Sequence, residues 1–209
     1  MKIEQHIIKA FNDVLNNEFD AGLLHACIAL EGTARKHVNK DFATAQDYKK
    51  VIRSYYWIIE PMIGSGLNLE ETKWSNLFIP DHKGNPILNP DFADIVYHIF
   101  RCSHAHGKEI PAGYGFLSVE DGKSTWHFAD NSLYMPIRVV WALIAVSVFA
   151  KVNDDIQTNT DHYLTWGSES IGIGTYNFLI RDSWGKEDYL RDFFLKQKII
   201  RVKLEFPKV

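Results

Sequence analysis

Two side chains near the middle of the chain could act together on a phosphate group. They are Arg101 and His106, five residues apart in the run Arg-Cys-Ser-His-Ala-His-Gly that ends at Gly107. A guanidinium can donate paired hydrogen bonds to phosphate oxygens, and an imidazole gains or loses a proton near neutral pH. Together the two groups could hold a phosphodiester and move a proton during its cleavage.

A helical wheel places further polar side chains beside Arg101. Each residue turns an α-helix by about 100°, so Asp94 and His98 lie on the same side as Arg101, within about two turns of it. Cys102 and His104 are close to Arg101 in sequence. These four residues are the candidate supporting groups of the site.

The same wheel separates His106 from Arg101, because five residues leave the two side chains about 140° apart. Two arrangements would bring them together. Gly107 could end the helix so that His106 leaves the helical register, or two copies of the helix could pair Arg101 of one chain with His106 of another. The second arrangement predicts a homodimer.

Two other interpretations of this run stay open. Positive side chains near a helix C-terminus are favourable simply because the last carbonyls and the helix dipole attract them, so Arg101 could be structural. Alternatively, His98, Cys102, His104 and His106 could bind a metal ion, since three of them are spaced four residues apart.

A charged pair on the second predicted helix could also be relevant to the site. Glu31 and Arg35 are four residues apart, which is the spacing of an ion pair on a helix surface. One interpretation is an ordinary surface pair. The other is that Glu31 faces Arg101 and orders its guanidinium.

Apolar residues recur every three or four positions along most of the chain, as helices with one buried face require. In the helix that carries Arg101, this buried face consists of Phe92, Ile95, Val96 and Ile99. Residues 67–89, which contain Pro80 and Gly84, are predicted to form an ordered loop. The predicted helices cover residues 3–15, 20–38, 44–62, a fourth segment with Asn89 as N-cap and Pro90 as first residue, 132–152 and 184–197.

Strand patterns occupy the remaining segments. Two alternating runs around Asp121 and Gly122 predict a β-hairpin over about residues 114–129. Alternation in residues 200–206 predicts a last strand that joins it. The chain is therefore expected to be one mainly α domain, 1–209, with a helical bundle over about 1–153, a small antiparallel β-sheet, and a C-terminal helix and strand over about 158–209.

Composition narrows the possible partners and location. The net charge of −3 disfavours a broad grip on duplex nucleic acid, so any nucleic-acid contact should be small and local. Two distant cysteines favour a reduced, cytoplasmic protein over a disulfide scaffold. Charges in the first 17 residues argue against a secretory signal, and the apolar run 139–150 is too short to cross a membrane. Nothing in the composition calls for a cofactor.

The segment Asp94-Ile-Val-Tyr-His-Ile-Phe-Arg-Cys-Ser-His-Ala-His-Gly107 resembles the Arg-x4-6-His signature of the HEPN (higher eukaryotes and prokaryotes nucleotide-binding) superfamily. The run His25-Ala-Cys-Ile-Ala-Leu-Glu-Gly-Thr-Ala-Arg35 is similar to a preceding helix of such proteins. Nucleases of that superfamily often place Asn, Asp or His directly after the arginine, where this chain has Cys102.

The resemblance implies an up-and-down helical bundle, usually dimeric, and a metal-independent RNA endonuclease of a toxin or antiviral defence system. His106 would then act as the acid or base and Arg101 would stabilise the phosphate during attack by the RNA 2′-hydroxyl. The product would carry a 2′,3′-cyclic phosphate, and an antitoxin could be a partner. The alternative is a non-catalytic bundle that binds a nucleotide, RNA or a partner protein.

Overall fold

Helices make up about half of the chain, so the prediction of a mainly α protein is confirmed. The computed structural model describes residues 2–81, 83–105, 107, 109–117, 125–129, 131–168, 173–197, 199 and 201–206. The α-helices are α1 (Ile3–Leu15), α2 (Phe19–Val38), α3 (Ala45–Ser54), α4 (Tyr56–Ile63), α5 (Phe92–Ile95), α6 (Cys102–Ala105), α7 (Arg138–Phe149) and α8 (Glu187–Leu195). No helix in these ranges is long and apolar enough to cross a membrane.

The core lies where α1, α2 and α4 pack against α7. Every residue of α7 from Val139 to Phe149 is buried except Trp141, which is half-buried. A helix that is apolar on all sides must be surrounded by other elements, which explains this central position. The predicted apolar stripe of α1 is buried at Ile3, Ile7, Phe11 and Val14, whereas Ile8 is half-buried and Leu15, the last residue of the helix, is 60% exposed.

The predicted helix over residues 44–62 is two helices rather than one. Thr44 caps α3 through a capping box with Asp47, and Tyr55 then leaves the helical conformation before α4 begins. The predicted apolar stripe of this segment is nevertheless buried throughout. Periodicity could not reveal the break, because a one-residue interruption leaves the buried face almost unchanged. Gly64 ends α4 with a φ of +71°, the left-handed conformation in which glycine commonly ends a helix.

The helix that carries Arg101 starts two residues later than the sequence pattern predicted. Asn89 adopts a left-handed conformation with a φ of +51°, so it is not the N-cap. Asp91 caps the helix instead: its carboxylate accepts a hydrogen bond from the Asp94 N–H, and the Asp94 carboxylate accepts one from the Asp91 N–H. Pro90 precedes the cap, and its carbonyl accepts a bond from the Trp74 N–H.

The small sheet differs from the predicted hairpin. Strand β3 (Ser132–Pro136) lies between β1 (Tyr114–Leu117) and β2 (His127–Ala129), parallel to β1 and antiparallel to β2. The predicted turn at Asp121 and Gly122 lies outside the described residues. The sheet is therefore mixed rather than antiparallel, and the helix predicted over 132–152 begins only at Arg138, because its first five residues form this central strand.

The C-terminal part contains a strand pair that the sequence pattern did not predict. Strand β4 (Tyr163–Ser168) pairs antiparallel with β5 (Ile173–Leu179), and α8 follows. The predicted last strand does not join the first sheet: Val202 and Glu205 instead form isolated bridges with the loop that follows α4. Helix α8 begins later than predicted, after a turn in which Gly185 has a φ of +67°.

Candidate functional site

The helix that carries Arg101 changes type along its length. Helix α5 continues into a π-helical segment, Val96–Arg101, and then into α6; we call this continuous stretch, residues 92–105, the motif helix. The Cys102 N–H donates to the Tyr97 carbonyl five residues back, as in a π-helix. A wheel with a constant 100° step does not describe such a helix, so the predicted angular positions of the polar side chains shift.

Arg101 binds a carboxylate of α2. Its Nη2 donates to Oε2 of Glu31 at 2.7 Å, and Nη2 of Arg35 donates to Oε1 of the same carboxylate, also at 2.7 Å. We call these three residues the arginine cluster. Burial raises the pKa of Glu31, but the hydrogen bonds and positive charges of Arg101 and Arg35 outweigh burial, so the pKa lies below its usual value. With one carboxylate between two guanidiniums, the cluster keeps a net positive charge.

The arginine cluster is partly open to solvent. The side chains of Arg101, Glu31 and Arg35 are 24%, 17% and 35% exposed. Among the described residues, Arg101 has one hydrogen-bond acceptor; Nε of Arg35 has none, but this atom is buried and is not accessible to a ligand. A guanidinium has five N–H donors, so several donors of this cluster remain free of a described protein acceptor.

Two neighbours of Arg101 on the motif helix complete its surroundings. The guanidinium carbon of Arg101 lies 5.5 Å from the ring centre of Tyr97, within the range of a cation–π contact. Burial raises the pKa of Tyr97, and nearby Cys102 raises it further. Cys102 is half-buried. The sequence analysis missed Tyr97, although its position four residues before Arg101 could have indicated the contact.

Asp94, a predicted supporting residue of Arg101, pairs with cations of α3. Its carboxylate binds Nζ of Lys49 at 2.9 Å and Nη2 of Arg53 at 3.2 Å, both on α3. Asp91 binds the same Arg53 and also Lys73. We call these five residues the aspartate cluster. Because α3 packs against the start of the motif helix, Lys49 and Arg53 lie close enough to pair with the two aspartates.

Of the three histidines of the motif, His98 is the one whose side chain the structure describes. The ring of His98 packs edge-on against Tyr97, with 4.9 Å between ring centres. His104 lies in α6, but its side chain lies outside what the structure describes, as does all of His106. Helix α6 ends at Ala105, and Gly107 has a φ of +62°, so the helix ends in front of this glycine as predicted.

The alternative metal site gains no support from the described side chains. Within them, no group of three or more His, Cys, Asp or Glu residues could hold a metal ion. Of the four ligands considered for that site, His104 and His106 have side chains outside the described part. The structure therefore locates only His98 and Cys102 of this set.

Of the two interpretations of the Glu31–Arg35 pair, the structure agrees with the one in which Glu31 faces Arg101. It contacts Arg35 on its own helix and also orders Arg101, so it is more than an ordinary surface partner. Two cavities, of about 400 and 340 Å³, lie elsewhere in the described structure, and neither is lined by a residue of the arginine cluster.

The fold and the cluster define a mainly α protein with a cationic surface site at the end of a π-containing helix. The chain belongs to the Rv1289 family, whose model matches residues 2–209. It is 27% identical over 194 residues to proteins named uncharacterized protein Rv1289, of Mycobacterium tuberculosis, and uncharacterized protein Mb1320, of Mycobacterium bovis; the match covers 90% of this chain and 85% of each relative. No solved structure gives a significant match.

Proposed function

We propose that this protein is a HEPN-like, metal-independent RNA endonuclease in which Arg101 stabilises the phosphate and His106 acts as acid or base. The observation that carries the proposal is the Glu31 carboxylate held between Arg35 and Arg101. This arrangement orients two guanidiniums and leaves them with a surplus of hydrogen-bond donors. An oriented donor surplus favours the extra negative charge that develops on a phosphate under attack.

The local helix geometry supports the same proposal. Single-turn π-helical segments inside α-helices occur frequently at functional sites. Here Val96–Arg101 ends at the arginine itself, α6 ends at Ala105, and Gly107 has a φ of +62°, which is the left-handed conformation common after a helix end. The proposed reaction needs no cofactor: the RNA 2′-oxygen attacks the adjacent phosphorus, loses its proton to a base, and the 5′-oxygen leaves as it gains a proton.

A second candidate is a non-catalytic HEPN-like bundle that binds a nucleotide, RNA or a partner protein. The observation that favours it is that Glu31 alone, a single carboxylate on α2, pairs with both the Arg101 and the Arg35 guanidinium and leaves the group with a net positive charge. Such a cluster can bind a phosphate with no proton transfer.

The first proposal includes two partners. One is a second copy of the chain, in a homodimer in which His106 of one chain meets Arg101 of the other. The second is an antitoxin.

Cleavage of mixed RNA in the presence of EDTA tests the proposal. We compare wild-type protein with His106→Ala, Arg101→Ala and the matched control His37→Ala, which removes an exposed histidine of α2. The proposal expects a loss of about 100-fold or more in both motif variants, none in the control, and cyclic phosphate at the cleaved ends. RNA that stays intact with wild-type protein, but binds in an Arg101-dependent manner, would support the second candidate instead.

A further inference from the structure

A pair of histidines joins the first two helices at a distance from the arginine cluster. Nδ1 of His6, on α1, lies 2.9 Å from Nδ1 of His25, on α2, and the ring centres are 5.1 Å apart. Both rings are half-buried. This distance is that of a hydrogen bond, so one Nδ1 must carry a proton and the other must accept it. We call this contact the histidine bridge.

A nearby carboxylate decides which ring donates. Oδ2 of Asp13 lies 3.9 Å from Nε2 of His25 and has no hydrogen-bond partner among the described residues. A proton on Nε2 of His25 therefore faces a negative charge and is favoured there. A neutral ring with its proton on Nε2 has a free lone pair on Nδ1. His25 is thus the acceptor of the bridge and His6 is the donor.

We propose that the histidine bridge is an acid-sensitive latch that fastens α1 to α2. A first added proton can go to Nε2 of His6 and leaves the bridge intact. A second must go to Nδ1 of His25, the atom that accepts the hydrogen bond. Two N–H groups would then face each other across 2.9 Å on two positive rings, so the contact must open.

Burial is the main factor that favours neutral rings. Burial lowers the pKa of both histidines, and positive charge on His25, Lys9 and the amino terminus lowers that of His6 further. Asp13 acts in the opposite direction on His25, but burial outweighs it. The other helix against α1, α7, has one charged residue, Arg138, at its first position.

The sign of the pH dependence follows from these directions. In the folded protein both rings bind protons less readily than the usual pKa of 6.5 implies. The unfolded chain therefore takes up protons first as the pH falls. The stabilisation from the bridge is fully present above about pH 6.5 and is lost as the pH falls below that value.

Ring-nitrogen NMR of the ¹⁵N-histidine-labelled wild-type protein tests the latch directly. We expect His6 protonated on Nδ1 and His25 on Nε2 at neutral pH, followed by two coupled titration steps that both rings report. His37, exposed on the same helix, is the internal control. Independent single-step titration of His6 and His25, or the Nε2 tautomer on both rings, would overturn the proposal.

A double-mutant cycle measures the consequence for stability. The variants His6→Gln, His25→Gln and the double variant are unfolded with urea at about pH 7.5 and about pH 5, on either side of the usual histidine pKa. We expect a favourable coupling of about fivefold in the unfolding equilibrium constant at the higher pH, as for one net hydrogen bond. We expect none, or the opposite sign, at the lower pH. Equal coupling at both pH values, or none at either, contradicts the latch; neither readout depends on RNA cleavage.

Discussion

Both ends of the motif helix carry charged side chains, but the hydrogen-bond partners of these side chains differ between the two ends. At the N-terminal end, Asp91 and Asp94 are almost completely buried, and their oxygens accept bonds from the helix backbone and from Lys49, Arg53 and Lys73. Burial raises the pKa of Asp91, but its bonds to Arg53 and to the Asp94 N–H outweigh this and lower the pKa to about 2.

At the C-terminal end, one described carboxylate rather than two pairs with the cations. Glu31 is the one described carboxylate that Arg101 and Arg35 share, and both arginines are partly exposed. Each cluster has one cation more than it has carboxylates, but at the N-terminal end the buried carboxylates also accept bonds from the helix backbone, which favours a structural role there. A cluster with spare cationic donors can accept an anion. We therefore expect a structural role for the aspartate cluster and, under the proposed function, a ligand-binding role for the arginine cluster.

The sharpest test of this division exchanges arginine for lysine at each end. Arg101→Lys keeps the charge but loses the planar fork that contacts two phosphate oxygens, so we expect RNA cleavage to fall about 100-fold. Arg53→Lys makes the same change in the aspartate cluster and should leave the rate per folded molecule unchanged. Single-turnover cleavage measures both variants. Similar losses in both would show that the two ends do not differ in function.

Asp91→Asn should have the largest effect on stability. Asparagine also caps helices, so the variant removes mainly the ionic contacts. A pKa lowered from 3.8 to about 2 corresponds to about 2 kcal/mol of folding free energy. This contribution is present above about pH 4 and is lost as the pH falls through about 2, because the protonated carboxyl no longer pairs. Urea unfolding against pH measures it, with the exposed Asp41→Asn as control; a loss that does not change with pH contradicts this assignment.

Glu31→Gln should weaken the site more than the fold. The amide keeps the size of the side chain but no longer neutralises two arginines, so Arg101 becomes less well oriented. We expect about a tenfold loss in cleavage, with a change of about 1 kcal/mol in the free energy of unfolding. Cleavage kinetics and urea unfolding of the same preparation separate the two effects. A large loss of stability with unchanged cleavage would make Glu31 a structural residue.

Lys73→Ala should have the smallest effect. Its ammonium lies 3.4 Å from Asp91, and its side chain is 42% exposed, so solvent screens the pair. We expect a change below about 0.5 kcal/mol in the free energy of unfolding, since Arg53 still holds the same carboxylate. Thermal or urea unfolding checks this value. A cost near that of Asp91→Asn would mean that the three cations act as one unit.

The helical framework could be predicted from the sequence because it depends on periodicity. The buried stripe of α1 and the buried face Phe92, Ile95, Val96 and Ile99 of the motif helix are as predicted. The errors occur where local pattern is ambiguous. Residues Ser132–Pro136 are a short, largely apolar run that fits a strand or the start of a helix equally well, and only pairing with β1 and β2 decides between them.

The site could be predicted in part. Arg101 stands out by residue type, and its closeness to Glu31 was one of two interpretations of the Glu31–Arg35 pair. The pairing of the Asp94 carboxylate with Lys49 and Arg53 could not be predicted, because those cations lie more than 40 positions earlier in the chain. The π-helical segment also has no simple signature in the sequence.

By itself the sequence determined the helical character of the chain, the ends of several helices and the residue types that could act on a phosphate. These properties depend on neighbours within about one or two helical turns. Only the tertiary structure decided which polar side chains meet, namely Glu31 with Arg101, Asp94 with Lys49 and Arg53, and His6 with His25. The reason is that a charged side chain pairs with whatever packing brings within a few ångströms of it, and packing is a property of the whole chain.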